Sequence, residues 1–261
     1  MAKSINRSGE AAYVLHSHDW SESSLILELL TRDHGRVVAV AKGAKRPYSQ
    51  LRPVLMPFQR LSVAFGAKRS EDTEVWLLRH AEWSGGAAWP GGAALLPGFY
   101  LNELLIRLTA RHDPHPILFD AYAQTLQAMR EPALLQAALR AFELLLLRDL
   151  GHLPDLSVET VSLQPVENDR FYGINPHLGV LLGAEARSDS SSTSIQGVHL
   201  IQIEQALDST IGPQNTAIPA LMAACVPVLA ELKGVLRSLI HYHLGSQTLR
   251  TRQLMMELQQ S

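Results

Sequence analysis

A cluster of basic residues near the N-terminus has the side chains that bind a phosphate backbone. Residues 32–69 hold nine lysines and arginines against one acid, Asp33, a net charge of +8. Within them, residues 42–52 (KGAKRPYSQLR) place an aromatic ring among the charges. Cations along a groove contact phosphates, and an interleaved ring can stack on a base. The predicted nucleic-acid contacts are Arg36, Lys42, Lys45, Arg46, Tyr48, Arg52, Lys68 and Arg69.

The charge is distributed unevenly along the 261-residue chain, whose net charge is only −2. Residues 70–261 contain 12 basic and 20 acidic side chains, a net charge of −8. Clustered like charges repel one another, and a polyanion relieves that repulsion. The asymmetry therefore indicates that the first quarter of the chain meets a polyanion, with an ordinary solvated loop or strand face as the alternative.

The sequence offers little support for catalysis. Residues 16–19 (HSHD) contain Ser, His and Asp, but neighbours on one strand do not form a catalytic triad, which depends on spatial roles. Gly91 and Gly92 precede no lysine of a phosphate-binding loop, so nucleotide hydrolysis has no motif. We therefore predict a protein that is not an enzyme.

Metal ligands are equally sparse, and no cofactor is predicted. The single cysteine, Cys225, excludes an internal disulfide and a multi-cysteine zinc site. Two histidine pairs lack a further ligand at a convincing spacing, which favours surface or capping roles. They are His112 with His115, and His241 with His243.

The pattern predicts a soluble protein without a membrane span. The longest uncharged stretch, residues 209–230, is interrupted by three prolines, and the first nine residues are polar. One cysteine indicates a reducing compartment, so we expect a cytoplasmic protein. We also expect a monomer.

Residues 10–83 contain short, mostly apolar and valine-rich segments separated by turn residues, which predicts β-strands. Five strands in about 75 residues, with one long basic connection, favour a closed barrel of the OB type. An SH3-like barrel has nearly the same pattern and stays open as an alternative. The predicted strands are residues 11–17, 24–31, 36–42, 58–65 and 74–83.

The hydrophobic period changes after residues 84–98. This stretch is rich in Gly, Ala and Pro and carries no charge, and we predict it to be a linker. We thus predict an α+β multidomain fold: an OB domain at 1–83 and a helical domain at 99–261. An insertion at about 157–197 carries a hairpin near 171–182. Predicted helices cover residues 100–111, 116–129, 131–150, 199–207, 217–244 (bent near Pro227) and 247–259.

Several segments resemble the RecO family of recombination mediators. They include residues 10–25 (EAAYVLHSHDWSESSL), 31–45 (TRDHGRVVAVAKGAK) and 55–58 (LMPF). The similarity continues at residues 100–105 (YLNELL), 140–143 (RAFE) and the C-terminal helix around 249–258. It covers most of the chain and is weakest at about 157–197.

The resemblance implies a DNA repair role, on the nucleoid of a bacterial cytoplasm. Members of the family bind single- and double-stranded DNA and anneal complementary strands. They bind the single-stranded DNA-binding protein SSB and, with RecR, help RecA load onto SSB-coated strands, with RecF as a further partner. Some hold zinc with four cysteines, a site that a chain with one cysteine lacks.

A residue role also follows from the resemblance. The family contacts the acidic SSB tail through an arginine on a C-terminal-domain helix, which the local match LRAFE at 139–143 places at Arg140. An arginine fork can pair bidentately with a terminal carboxylate. The alternative is that Arg140 pairs with an acid on its own helix.

Two rival functions remain from the residues themselves. An RNA-binding OB module with a helical scaffold would have the same basic barrel, and composition does not separate it from a DNA-binding protein. A nuclease would need an acidic metal cluster, for which the sequence has no convincing candidate.

Overall fold

The structure, a computed structural model, describes residues 9–66, 74–86, 91–183, 193–209, 217–245 and 248–260. The chain divides into two compact units, Met1–Gln127 and Ala128–Ser261.

The first unit contains a five-stranded closed barrel, which confirms the predicted OB-like fold. The strand order is β1-β2-β3-β5-β4, with β3 and β5 parallel and the other pairs antiparallel. Strands β1, β2 and β3 form an antiparallel meander, and the pair β4 and β5 closes the barrel against β1 and β3, as in OB folds. The strands are β1 Glu10–Asp19, β2 Leu25–Thr31, β3 Gly35–Ala41, β4 Arg60–Phe65 and β5 Val75–Trp83.

Alternating apolar residues fill the barrel interior. Val37 and Ala39 on β3 face inward together with Leu27 and Leu29 on β2, and all four are fully buried. Side chains two residues apart share a strand face, so this period determines which face of each strand closes on the core. The strands that the sequence predicts agree with the observed ones to within about two residues at each end.

Two helices pack in the first unit after the barrel, α1 Leu95–Leu108 and α2 Pro116–Ala128. Asn102 on α1 donates a hydrogen bond to Leu15 O of β1 at 2.9 Å and accepts one from Tyr122 of α2 at 2.6 Å. Both residues are buried. These bonds satisfy polar groups that burial would otherwise penalise.

Helix α1 begins inside the stretch that the sequence predicts as a linker. Gly98 is helical and buried, and a Cβ there would lie 3.0 Å from the Phe58 ring. Glycine usually destabilises a helix, but here its lack of a side chain lets α1 pack closely against Phe58. The compact first unit also extends past this stretch, and the domain boundaries at 84–98 stay a prediction.

The second unit is helical with a small sheet. Helix α3 runs through its centre and packs against α5 and α6. The predicted hairpin is present as β6 and β7, and a third strand, β8, which the sequence analysis missed, pairs with β6. The elements are α3 Leu135–Asp149, β6 Phe171–Asn175, β7 Gly179–Leu182, β8 Ser194–Gln196, α4 Gly197–Asp208, α5 Ala217–Cys225, α6 Leu229–Leu244 and α7 Arg250–Gln260.

One helical run, Ile218–Leu244, is long and apolar enough to cross a membrane by length and composition. A short 3-10 helix at Val226–Val228 divides it into α5 and α6, at the predicted bend. Leu232, Leu236 and Leu239 of this run are buried within the second unit. Core helices of water-soluble proteins share this apolar character, so the run is weak support for a membrane span.

Candidate nucleic-acid interface

The basic connection between β3 and β4 is fixed to the barrel at both ends. Ala44 and Leu55 are buried in the barrel core. The Lys45 amide donates to Ser23 O at 3.0 Å, which ties the connection to the turn between β1 and β2. Gly43, at a φ of 72°, provides the left-handed turn by which the chain leaves β3. The residues between these fixed points therefore project from a held backbone.

Four cations and one ring lie on this connection, and we call them the basic rim: Lys42, Lys45, Arg46, Tyr48 and Arg52. The side chains of Lys42, Arg46 and Arg52 are exposed and have no hydrogen-bond or ion-pair partner among the residues that the structure describes, although the Arg46 backbone bonds to Gly43 and Ser49. Lys45 Nζ contacts Asp19 at 2.8 Å and Ser21 O at 3.2 Å. An exposed pair of this kind contributes about 0–1 kcal/mol, so a phosphate can replace Asp19 at little cost.

Tyr48 has the most exposed aromatic ring among the described residues, at 99% of its full accessible area. It lies between the cations of the rim, as the sequence pattern predicts. An aromatic face beside phosphate-binding groups is the arrangement that holds unpaired bases.

Arg36 differs from the exposed cations of the basic rim because its guanidinium forms hydrogen bonds within the first unit. Its Nη1 donates to Glu28 at 2.9 Å, and its Nη2 donates to Thr109 O at 3.0 Å. Position 36 pairs with Leu30, two residues from Glu28 on β2, so the two side chains meet diagonally on one face. Arg36 therefore pairs within the first unit and stays a predicted nucleic-acid contact, while Lys68 and Arg69 lie outside the described residues.

Arg140 is buried on α3, with 8% of its area exposed. Its Nη2 donates to Glu143 at 2.7 Å, one turn along the same helix. This contact agrees with the alternative that Arg140 pairs with an acid on its own helix. The neighbouring Cys225 is also buried, and desolvation raises the pKa of its thiol to about 12. Arg140 as a protein-binding residue stays a prediction.

The histidine pairs in the sequence do not assemble a metal site. No group of three or more His, Cys, Asp or Glu side chains within the described ranges is placed to hold a metal ion. His16 and His18 form an edge-to-face contact at 4.2 Å, and desolvation together with His18 lowers the pKa of His16. Two imidazoles offer too few ligands for a structural zinc ion.

A second histidine contact, missed by the sequence analysis, joins parts of the second unit. The rings of His152 and His243 stack at 3.9 Å, between the segment after α3 and the end of α6. Burial, and then the neighbouring His152, lower the pKa of His243. The two positions are far apart in the sequence, so no local spacing predicts their contact.

We expect acid to destabilise the second unit through His243. Because its pKa is below 6.5 in the folded state, the unfolded chain binds more protons near pH 6, and stability is lost as the pH falls through 6.5. The free energy of unfolding, from urea titrations at several pH values, will depend less on pH in His243→Gln than in the wild type. His241→Gln, exposed on the same helix, is the control, and equal pH dependence in all three proteins would contradict this prediction.

One exposed aromatic residue, Trp20, is not among the contacts that the sequence predicts. Trp20 follows β1 directly and is 65% exposed, in the turn that contacts Lys45. A tryptophan next to turn residues, outside the alternating apolar pattern, is the feature that could have marked it.

Comparison with known proteins gives a consistent result over nearly the whole chain. Residues 7–82 match the family "Recombination protein O N terminal", and residues 92–253 match "Recombination protein O C terminal". The chain is 50% identical over 252 residues to a protein named DNA repair protein RecO from a Polaromonas species, with 96% of each chain covered. It is 50% identical over 258 residues to the protein of that name from Polaromonas naphthalenivorans (97% of each chain), and 48% over 254 residues to that of Albidiferax ferrireducens (97% and 96%).

Proposed function

The chain belongs to the RecO family of DNA repair proteins, and from this premise we propose that its basic rim binds single- and double-stranded DNA. We further propose that it anneals complementary strands and, with RecR, helps load RecA onto SSB-coated single strands. The proposed partners are DNA, the SSB tail, RecR, RecF and RecA. We propose a cytoplasmic, nucleoid-associated monomer without a cofactor or catalytic step.

The observation that carries the DNA-binding proposal is the exposure of Lys42, Arg46 and Arg52 on one fixed connection without partners among the described residues. Charged side chains without partners keep their full attraction for an external anion. Each phosphate that they neutralise releases condensed counterions, which favours binding at low salt. For three to five single-strand phosphates, the logarithm of the affinity falls with a slope of about −2 to −4 against the logarithm of salt concentration.

Annealing follows from the same electrostatics. Two complementary strands repel each other through their phosphates, and a shared cationic surface screens that repulsion. Because contacts with the backbone leave the base edges free, a second strand can pair while the first is held. This step requires no bond to be made or broken in the DNA backbone.

The test reverses three charges of the rim. We expect Lys42→Glu/Arg46→Glu/Arg52→Glu to bind a single-stranded oligonucleotide at least tenfold more weakly at low salt. Removing three cation contacts also makes the salt slope less steep by about 2. Fluorescence anisotropy at several salt concentrations measures both quantities.

A matched variant separates the rim from total charge. Arg130, Lys233 and Arg237 are exposed in the second unit, and their reversal changes the net charge by the same amount. That control will bind DNA with nearly wild-type affinity. Unchanged affinity in the rim variant, or an equal loss in both, would reject the proposal. Competition with RNA of equal length decides between DNA binding and the RNA-binding alternative.

A further inference from the structure

Trp20 lies at the tip of the β1–β2 hairpin and is 65% exposed. Its amide donates to Ser24 O at 3.1 Å, which closes the turn. Lys45 holds the same turn from outside, through its amide to Ser23 O and its Nζ to Ser21 O. The large apolar ring is therefore presented to solvent by a backbone that is bonded on both sides.

The strand register places this ring next to the basic rim. Asp19, the last residue of β1, pairs with Leu25, and Leu25 pairs in turn with Ala41, the last residue of β3. Neighbouring strands lie about 4.8 Å apart, so the ends of β1 and β3 are separated by roughly 10 Å. Trp20 and Lys42 are the next residues along the chain, and both continue from the same end of the barrel.

The charges beside the ring allow nucleic acid to approach. Asp19 is paired with Lys45 at 2.8 Å, and Glu22 is the other acid of the turn. Against these two acids the rim contributes Lys42, Lys45, Arg46 and Arg52. The local balance is positive, so a phosphate chain is attracted to the surface on which the indole lies.

We propose that Trp20 stacks on an unpaired base and so strengthens the binding of single strands relative to duplex. This inference rests on the proposed DNA binding by the rim. Bases in a duplex are already stacked on their neighbours, so the indole face has no base to contact there, whereas phosphates are available in both forms. The cations thus bind both forms of DNA, and Trp20 strengthens the binding of one.

The test compares one single strand with a duplex of the same length. Loss of a stacking side chain weakens single-strand binding by about 5- to 150-fold, so we expect Trp20→Ala to lose affinity in this range for an oligothymidylate. Duplex affinity will change less than twofold. The salt slope will stay at the wild-type value, since no cation contact is removed.

Two further variants make the result specific. Trp20→Phe retains an aromatic face and will recover most of the lost affinity. Phe171→Ala removes an aromatic residue that is 54% exposed in the second unit, and it will bind both DNA forms like the wild type. An equal loss on single strand and duplex in Trp20→Ala, or no loss on either, would overturn the inference.

The two proposals fail in distinguishable ways. If the rim variant loses affinity with a shallower salt slope while Trp20→Ala binds normally, the rim binds DNA and the stacking role is wrong. If the rim variant binds normally, the proposed function itself is wrong.

Discussion

Replacing Arg140 with alanine will lower the free energy of unfolding of the second unit by about 3–5 kcal/mol. Glu143 is 1% exposed, and its Oε1 accepts the Arg140 Nη2 hydrogen bond at 2.7 Å. Without the guanidinium, the carboxylate keeps its desolvation penalty and loses the charge-assisted hydrogen bond from Arg140. The expected loss is a large fraction of the 5–15 kcal/mol that ordinarily stabilises a folded domain.

Far-UV circular dichroism during urea denaturation is the appropriate measurement. Helices α3 to α7 belong to the second unit, so its unfolding changes the helical signal. Tryptophan fluorescence would not report this change directly, because the four tryptophans, residues 20, 76, 83 and 89, all belong to the first unit. The control removes both charges, as Arg140→Met/Glu143→Leu. Replacing a buried pair by apolar residues of similar volume is often neutral or stabilising, so this double variant will unfold near the wild-type urea concentration. A loss below about 1 kcal/mol in Arg140→Ala contradicts the prediction.

The double variant also tests Arg140 as a contact for the SSB tail. It keeps the fold while it lacks the guanidinium, so a change in binding cannot be ascribed to unfolding. We expect a labelled peptide with the SSB C-terminal sequence to bind it at least tenfold more weakly than the wild type. Wild-type affinity for the peptide would remove Arg140 from the proposed interface.

Replacing Glu28 with glutamine will destabilise the first unit by about 3 kcal/mol. The carboxylate accepts from Arg36 at 2.9 Å and from Arg111 at 2.8 Å, and so connects β2 both to β3 and to the segment after α1. The Arg36 side chain is only 11% exposed, and glutamine leaves it with a buried charge that no carboxylate balances.

Tryptophan fluorescence during urea denaturation reports this change, because every tryptophan is in the first unit. Glu82→Gln on β5 is the matched control, since its side chain is 64% exposed. Surface substitutions of this kind usually change stability by less than about 0.5 kcal/mol. Equal midpoints for the two variants would show that the Glu28 bridge contributes nothing measurable.

The barrel and most helices follow from patterns that the sequence displays directly. The mostly apolar run of β2 and the valine-rich run of β3 predict the two strands, and Asp33-His34-Gly35 between them predicts the hairpin. Helix α3 is apolar nearly all round and is central in the second unit, as such a pattern indicates. These features are local, so a single sequence is enough to predict them.

The features that the sequence analysis missed depend on contacts between distant residues. Gly98 continues a helix because it packs against Phe58, forty positions earlier. β8 has only three residues and is defined by its pairing with β6. The pairing of Arg36 with Glu28 depends on the register between β2 and β3. For the interface, residue types predicted the exposed cations, while only the fold shows which of them already have partners.

The buried Cys225 makes this protein convenient for site-specific labelling. Burial raises the pKa of its thiol to about 12, so little of the thiolate, the form that attacks maleimides, is present at neutral pH. A second cysteine at an exposed position of the rim connection, as in Gln50→Cys, therefore takes up a fluorophore selectively without removal of the native thiol. Such a conjugate allows single-molecule observation of strands as they arrive at the barrel.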